Sequence, residues 1–458
     1  MKLRTIFCAI TGLIVPAASA ADAPATPPRA QNVILIIADD LGYADVGFHG
    51  QDQFKTPHID SLAAEGVQFS QGYVTENVCG PTRAGMLTGR YQQQLGAERN
   101  VGPRRRTLDV PYGLPLEHKL IADRIKEQDI AKTAIFGKWH LGGEHLFDQR
   151  LFPLSRGFDE FFGFLEGAAL YDDVTNREEK YMRGNELVER EEEYYTDAIG
   201  RESISFIERH KDEPFFLYVA FNAPHAPMQA KAEALERVKH IEDPNRRILA
   251  AMIETMDDNI GRILDTLEKN DLTEKTMIVF LSDNGGKPNN NFSINDPLRG
   301  EKGTYYEGGI RVPFVIKWPG VAPAGEKIDD MVFSLDLFPT IYNALGGEVD
   351  ESWKLEGINL APHLGADAAA FPRRTLFWKT GNKWAVNDGK WKLVKEGGEM
   401  ELFNLDDDLA ESNNLIHQNP EIADRLLKAH QKWDDTTVPP NYGWDPKLPY
   451  HSERVKRK

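Results

Sequence analysis

The chain has 458 residues, 41% of them hydrophobic and 27% charged, and a formal net charge of −17 at pH 7. This is the composition of an ordinary soluble globular protein, long enough for a large core and more than one domain. The acidic balance argues against nonspecific nucleic-acid binding, and the two cysteines, Cys8 and Cys79, are too few for a disulfide framework.

The first 20 residues read as a secretory signal peptide. Lys2 and Arg4 form the basic start, Ile6 to Val15 the apolar stretch, and Ala18-Ser19-Ala20 the cleavage site. Residues 21–31, rich in Ala and Pro, predict a disordered linker. No later segment holds the roughly 18 uninterrupted apolar residues of a membrane span, so a periplasmic or secreted protein with no span after cleavage is expected. The mature chain then carries a single thiol, Cys79.

Short apolar runs follow at Val33 to Ala38, Thr133 to Phe136, Phe215 to Phe221, Met277 to Leu281 and Val312 to Ile316. Their β-rich, unalternating character predicts strands buried on both faces. Between the third and fourth runs, Ile248, Leu249, Met252, Ile253, Met256, Ile260, Ile263, Leu264 and Leu267 fall at helical spacing. Strands alternating with helices predict an α/β domain with a mainly parallel or mixed sheet, here residues 32–367.

Beyond residue 367 the style changes. Thr375 to Lys379, Lys383 to Val386, Lys390 to Lys395 and Met400 to Leu405 are short runs broken by Gly-Asn, Asn-Asp-Gly and Gly-Gly turns. They predict an antiparallel meander, followed by a helix from Pro420 to Trp433. Residues 368–436 are thus expected to form a smaller domain, and 437–458 a tail.

The ends of the first four runs carry polar groups. Asp39-Asp40 closes the first, Lys138 and His140 follow the second, His225 the third, and Asp283-Asn284 the fourth. Open α/β sheets bind ligands beyond the carboxyl ends of their strands, so parallel strands would gather these groups at one edge. Asp39, Asp40, Asp283 and Asn284 offer only oxygen, which suits Ca2+ or Mg2+ better than zinc. Paired acids after a strand are also common as helix caps or solvated loops. His225 lies between Pro224 and Pro227, which restrict its backbone, and a fixed imidazole suits general-acid work. Taken alone, Cys79 is also compatible with a buried apolar cysteine or an intermolecular disulfide.

Cys79-Gly80-Pro81-Thr82-Arg83, followed by Ala-Gly-Met-Leu-Thr-Gly-Arg, resembles the signature of the type I sulfatases, whose cysteine is oxidised to Cα-formylglycine. Gly137-Lys138-Trp139-His140-Leu141-Gly142 resembles the second family signature, departing from it upstream at Ile130-Ala131 and at Phe136. The contexts of Asp39-Asp40 and Asp283-Asn284 resemble the family's metal segments, and Leu298 to Pro313 resembles a further stretch that contains Lys302.

The resemblance covers nearly the whole mature chain. It implies an alkaline-phosphatase-like mixed sheet sandwiched by helices, with a smaller C-terminal antiparallel-sheet domain. It also implies metal ligands Asp39, Asp40, Asp283, Asn284 and the modified Cys79, with Ca2+ preferred and Mg2+ as the alternative. In the implied chemistry a hydroxyl of hydrated formylglycine attacks the sulfur of a sulfate monoester. Arg83, Lys138 and Lys302 share the sulfuryl charge, His225 protonates the departing alcohol, and His140 assists release of sulfate.

The implied partners are a sulfated carbohydrate and a formylglycine-generating maturation enzyme. Arg104-Arg105-Arg106 and the aromatic residues Tyr171, Tyr181, Tyr194 and Tyr195 are candidates for glycan contacts, or else a solvated cluster and packing residues. Two alternatives stay open. One is a phosphodiesterase or phosphonate monoester hydrolase of the same fold, the other a non-catalytic binder of sulfated glycans.

Overall fold

The computed structural model describes residues 30–101, 112–143, 148–172, 181–188, 193–365 and 368–441. The expected signal peptide, the linker up to residue 29, Arg104 to Arg106 and the tail beyond residue 441 lie outside the described residues.

The described residues contain fourteen strands: β1 Asn32–Ala38, β2 Val67–Tyr73, β3 Lys132–Lys138, β4 Glu160–Phe164, β5 Tyr181–Arg183, β6 Glu186–Val188, β7 Phe215–Ala220, β8 Thr276–Ser282, β9 Phe314–Lys317, β10 Glu326–Phe333, β11 Leu376–Thr380, β12 Lys383–Asn387, β13 Trp391–Lys395 and β14 Glu401–Asn404. The first ten form one sheet in the order β10-β2-β9-β8-β1-β7-β3-β4-β5-β6, and the last four a separate sheet in sequence order.

At the centre of the large sheet, β8, β1, β7 and β3 run parallel to one another. Both faces of these strands are covered, which is why they read as continuous apolar runs. Alternate residues of β1 enter opposite cores: Val33, Leu35 and Ile37 on one side, Ile34 and Ile36 on the other. The second face is sealed by the helix Pro244–Lys269, whose Leu249, Met252, Ile253, Met256, Ile260 and Ile263 join Ile34 and Ile36. The first face receives the helix Cys79–Thr88 through Ala84, Met86 and Leu87. The result is a helix-covered mixed sheet.

The fifth expected run is also a strand, β9, and it lies antiparallel to β8 and β2. Strands β2, β4, β5, β6 and β10 escape the sequence reading for a physical reason. In β2 (VQFSQGY) polar residues alternate with apolar ones, and β10 (EKIDDMVF) is an edge strand, exposed or half-buried over most of its length. Neither shows the unbroken apolar run that marks a doubly covered strand.

The small sheet is an antiparallel meander. One face packs Trp384, Val386, Leu393 and Leu402 against Ala423 and Leu426 of the helix Pro420–Asp434. The other face places Trp378, Ala385, Val394 and Phe403 against Tyr73, Tyr305 and Phe333 of the larger layer. Within this junction a buried ion cluster links the two sheets. Lys392 Nζ on β13 lies 2.7 Å from Glu307 Oε1 and 2.9 Å from Glu411 Oε1, with all three side chains fully buried. Arg311 Nη1, 3.1 Å from Glu307 Oε2, and the Tyr73 hydroxyl, which donates to the same oxygen at 2.8 Å, complete it.

Removing one member of such a cluster strands the others without counter-charge, a loss of roughly 3–5 kcal/mol. Lys392→Met is therefore expected to lower the denaturant midpoint of unfolding strongly at pH 8. The loss should shrink at pH 5, where protonation of Glu411 or Glu307 neutralises the leftover charge. Equal stability of variant and parent at pH 8 would remove the cluster as a link between the layers.

Candidate active site

Because β1, β3, β7 and β8 are parallel, their carboxyl ends meet at one edge. Asp39 and Asp40 follow β1, Asp283 and Asn284 follow β8, Lys138 ends β3, and the Asn222–Pro227 segment that carries His225 leaves β7. Two of these positions turn sharply: Asp40 has φ 65° and His140 φ 57°, values uncommon for residues with a side chain. Gly137 precedes Lys138 at φ 113°, and a Cβ there would lie 1.9 Å from the carbonyl oxygen of Ala220, so only glycine fits.

Cys79 opens the helix Cys79–Thr88, immediately after the extended Val78. Its Sγ lies 3.2 Å from His140 Nδ1 and 3.8 Å from Asn100 Oδ1. Asn100 Oδ1 also accepts the Gly80 amide N–H at 2.9 Å, which fixes the start of the helix. Burial opposes ionisation of the thiol, but the ammonium groups of Lys138 and Lys302 outweigh it and draw the pKa down. Burial, then the charges of Lys138 and Arg83, hold the His140 imidazole well below its usual pKa, so it is neutral. Gly167 makes room for this ring, since a Cβ there would lie 2.9 Å from its Nε2.

The acidic groups are buried and tightly paired. Lys138 Nζ donates to Asp39 Oδ2 at 2.6 Å, and Lys302 Nζ to Asp40 Oδ1 at 2.6 Å. Arg83 donates through Nε and Nη2 to Asp283 Oδ2 at 3.0 and 2.8 Å, and through Nη1 to the Lys138 carbonyl and the Tyr218 hydroxyl. Arg83 is completely buried, so its charge acts on Asp283 from behind. Asn284 Nδ2 donates to Asp40 Oδ1 at 2.7 Å.

Three oxygens remain: Asp39 Oδ1, Asp40 Oδ2 and Asn284 Oδ1 are buried acceptors with no hydrogen-bond partner. Ligand atoms of Asp39, Cys79 and Asp283 lie within 4.8 Å of one another, as do those of Asp39, Asp40 and His225. Burial, then the charge of Asp39, pushes the Asp283 carboxyl up, a strain that a bound cation would relieve.

His225 is partly exposed at the rim. Its Nδ1 lies 2.5 Å from the Ala226 carbonyl oxygen, which only accepts, so Nδ1 carries a proton. Nε2 faces Asp40 Oδ2 at 3.6 Å. The structure thus brings Asp39, Asp40, Cys79, Arg83, Lys138, His140, His225, Asp283, Asn284 and Lys302 to one place. Tyr171, Tyr181 and Tyr195 do not serve as sugar platforms: they are fully buried packing residues, and Tyr194 stacks on Tyr171 at 5.5 Å. Asn100 and Tyr218 went unnoticed in the sequence, since an isolated Asn in a loop and a Tyr inside an apolar strand carry no pattern.

Residues 31–347 match the family model described as Sulfatase, and residues 300–436 match that of the N-sulphoglucosamine sulphohydrolase C-terminal region. The chain belongs to the sulfatase family. Arylsulfatase J of Mus musculus is 30% identical over 93% of this chain and 79% of its own length. N-acetylgalactosamine-6-sulfatase of Canis lupus familiaris is 30% identical over 80% of this chain and 72% of its own length. Among solved structures, Ps i-CgsB in complex with k-i-k-neocarrahexaose superposes with a TM-score of 0.84 at 32% identity, covering 92% of this chain and 95% of that one. The mixed ten-stranded sheet with its separate four-stranded partner is the alkaline-phosphatase-like fold of these sulfatases.

Sulfatases are sulfuric ester hydrolases that generally use a metal ion and a formylglycine. The residues of this sulfatase fit such an ion: the orphaned oxygens are hard donors, and Asp39 belongs to both clusters of converging ligand atoms. Withdrawing divalent cation with a chelator is expected to lower the melting temperature, because Asp39, Asp40 and Asp283 are then left to repel one another. Adding the cation back should restore it. A melting temperature indifferent to chelation would show that no cation is held here.

Proposed function

We propose that this sulfatase removes sulfate from a sulfated carbohydrate outside the cytoplasm, using Ca2+ (with Mg2+ as the alternative) and formylglycine at position 79. The observation that carries this reading is the seating of Cys79 at a helix start, against His140 and beside orphaned carboxylate and amide oxygens. The carbohydrate class is supported by the oligosaccharide complex of Ps i-CgsB. Export is supported by the leader-like first 20 residues, and among the described residues no helix is long and apolar enough to cross a membrane.

A cation held by Asp39, Asp40, Asp283 and Asn284 supplies Lewis-acid stabilisation of sulfuryl charge, and hydrated formylglycine supplies the attacking hydroxyl. The protein's own groups do the rest. Lys138, fully buried, and Lys302, whose side chain is only 11% exposed, bring two positive charges to the sulfuryl oxygens, where a low dielectric makes them effective. Arg83 fixes Asp283. His225, with Nδ1 committed to Ala226, presents Nε2 as the atom that delivers a proton to the leaving oxygen. Neutral His140 takes the proton from the side chain of residue 79 when sulfate is expelled. Cys79 is only 2% exposed, so the maturation enzyme would have to meet the Cys79–Arg83 segment before it folds.

Two kinetic outcomes test the scheme. Cys79→Ala should abolish hydrolysis of 4-nitrophenyl sulfate with the fold retained, and substantial residual turnover by the purified variant would contradict the nucleophile assignment. His225→Ala should slow hydrolysis of a sugar sulfate by about 10²–10⁴-fold, the usual worth of a general acid. It should slow 4-nitrophenyl sulfate far less, because nitrophenolate departs without a proton. Equal losses on both esters would remove His225 from that role.

A further inference from the structure

Asn222 is 1% exposed, and neither its Oδ1 nor its Nδ2 has a hydrogen-bond partner. It is the one carboxamide among the described residues that is buried with both ends unsatisfied. The other orphaned amide oxygen at this edge, that of Asn284, belongs to the cation set. A buried amide without partners is unfavourable and calls for an unseen partner such as water, an ion or a ligand.

The surroundings of Asn222 narrow the choice. It lies two residues beyond the end of β7, which is flanked by β1 and β3, the strands that deliver Asp39 and Lys138. The next carbonyl, that of Ala223, accepts the Asp39 backbone N–H at 3.0 Å. The backbone of Asn222 is itself rigidly held: its carbonyl accepts the His225 N–H at 2.9 Å and the Tyr171 hydroxyl at 2.5 Å. The backbone that carries this amide is thus fixed between the segment of the proton donor and the strand that ends in Asp39, at the edge where an anion of the substrate arrives.

Building on the sulfatase reading, we infer that Asn222 is a substrate-binding residue whose Nδ2–H group donates to a sulfuryl oxygen. Its side chain stays unsatisfied until sulfate enters. This is a neutral donor added to Lys138 and Lys302, and it discriminates by geometry where the ammonium groups contribute charge.

The test pairs equilibrium binding of inorganic sulfate, followed by calorimetry on cation-loaded protein, with thermal melting of sulfate-free protein. Asn222→Ala is expected to weaken sulfate binding by about tenfold or more, the worth of a hydrogen bond to a charged group. The sulfate-free melting temperature should stay level or rise, because an unsatisfied buried amide has been removed. Asn222→Asp, which replaces the donor by a second anion, should weaken binding further. Unchanged sulfate affinity in Asn222→Ala would overturn the assignment while leaving the sulfatase reading intact. A fall in melting temperature with unchanged affinity would also overturn it and identify the amide as structural. Parent protein that neither binds sulfate nor hydrolyses 4-nitrophenyl sulfate would instead overturn the sulfatase reading, and this assignment with it.

Discussion

Three carboxylates that repel one another are brought together at the edge of a parallel sheet, and the rest of the molecule is arranged around that fact. Asp39, Asp40 and Asp283 are essentially removed from solvent, where isolated charges are unstable. Each is met by a cation from a different part of the chain: Lys138 from β3, Lys302 from the loop after β8, and Arg83 from the nucleophile helix. The pairing is incomplete by design of position. Each cation occupies one oxygen of its carboxylate, while Asp39 Oδ1 and Asp40 Oδ2 remain open. The cluster is therefore close to neutral yet still presents hard donors, the condition under which a small divalent cation and an anionic ester can share a site without either being expelled.

The same constraint explains the geometry of the nucleophile. A cysteine at the first turn of a helix, beside two ammonium groups, sits where negative charge is welcome. The neutral His140 on its other side can take up a proton, which an imidazolium could not. Arg83 is one helical turn beyond Cys79, so the residue that steadies Asp283 and the proposed nucleophile move as one rigid unit. This is why a motif only five residues long organises both the metal segment and the chemistry.

What could be read in the sequence followed burial. Strands β1, β3, β7 and β8 are covered on both faces and announce themselves as apolar runs, and the polar residues that end those runs meet at one edge. Half-exposed strands such as β2 and β10 left no comparable trace. Residues that act by hydrogen bonding alone were equally silent. Asn100 touches Cys79 from a loop about twenty positions away in sequence, a contact that only the closed fold creates. Asn222 was visible merely as part of a Pro-flanked histidine loop, and its unsatisfied amide is a property of packing. The tyrosines, open in the sequence to either sugar contact or packing, were ambiguous for the converse reason: an aromatic side chain suits a core as well as a binding face, and composition does not separate the two.

The small C-terminal sheet gains its place in this argument through Lys302. That lysine stands in a loop whose Gly303 N–H donates to the Asn77 carbonyl, two residues before the nucleophile. Three residues after Lys302, the Tyr305 hydroxyl lies 2.5 Å from Oε1 of the buried Glu76 and 2.8 Å from Oγ1 of Thr380 on β11. Burial raises the Glu76 carboxyl to about 8, so near neutrality it is protonated and adds no charge behind the nucleophile loop. Two residues further on, Glu307 enters the ion cluster with Lys392 of β13. The loop that carries Lys302, proposed as the second sulfate-binding cation, is thus clamped between the Cys79 segment and the small sheet. A lysine whose long side chain must hold its ammonium group on Asp40 loses considerable rotamer freedom, and rigid neighbours on both sides lower the cost of keeping it there. The second sheet accordingly supports the active-site edge as its buttress.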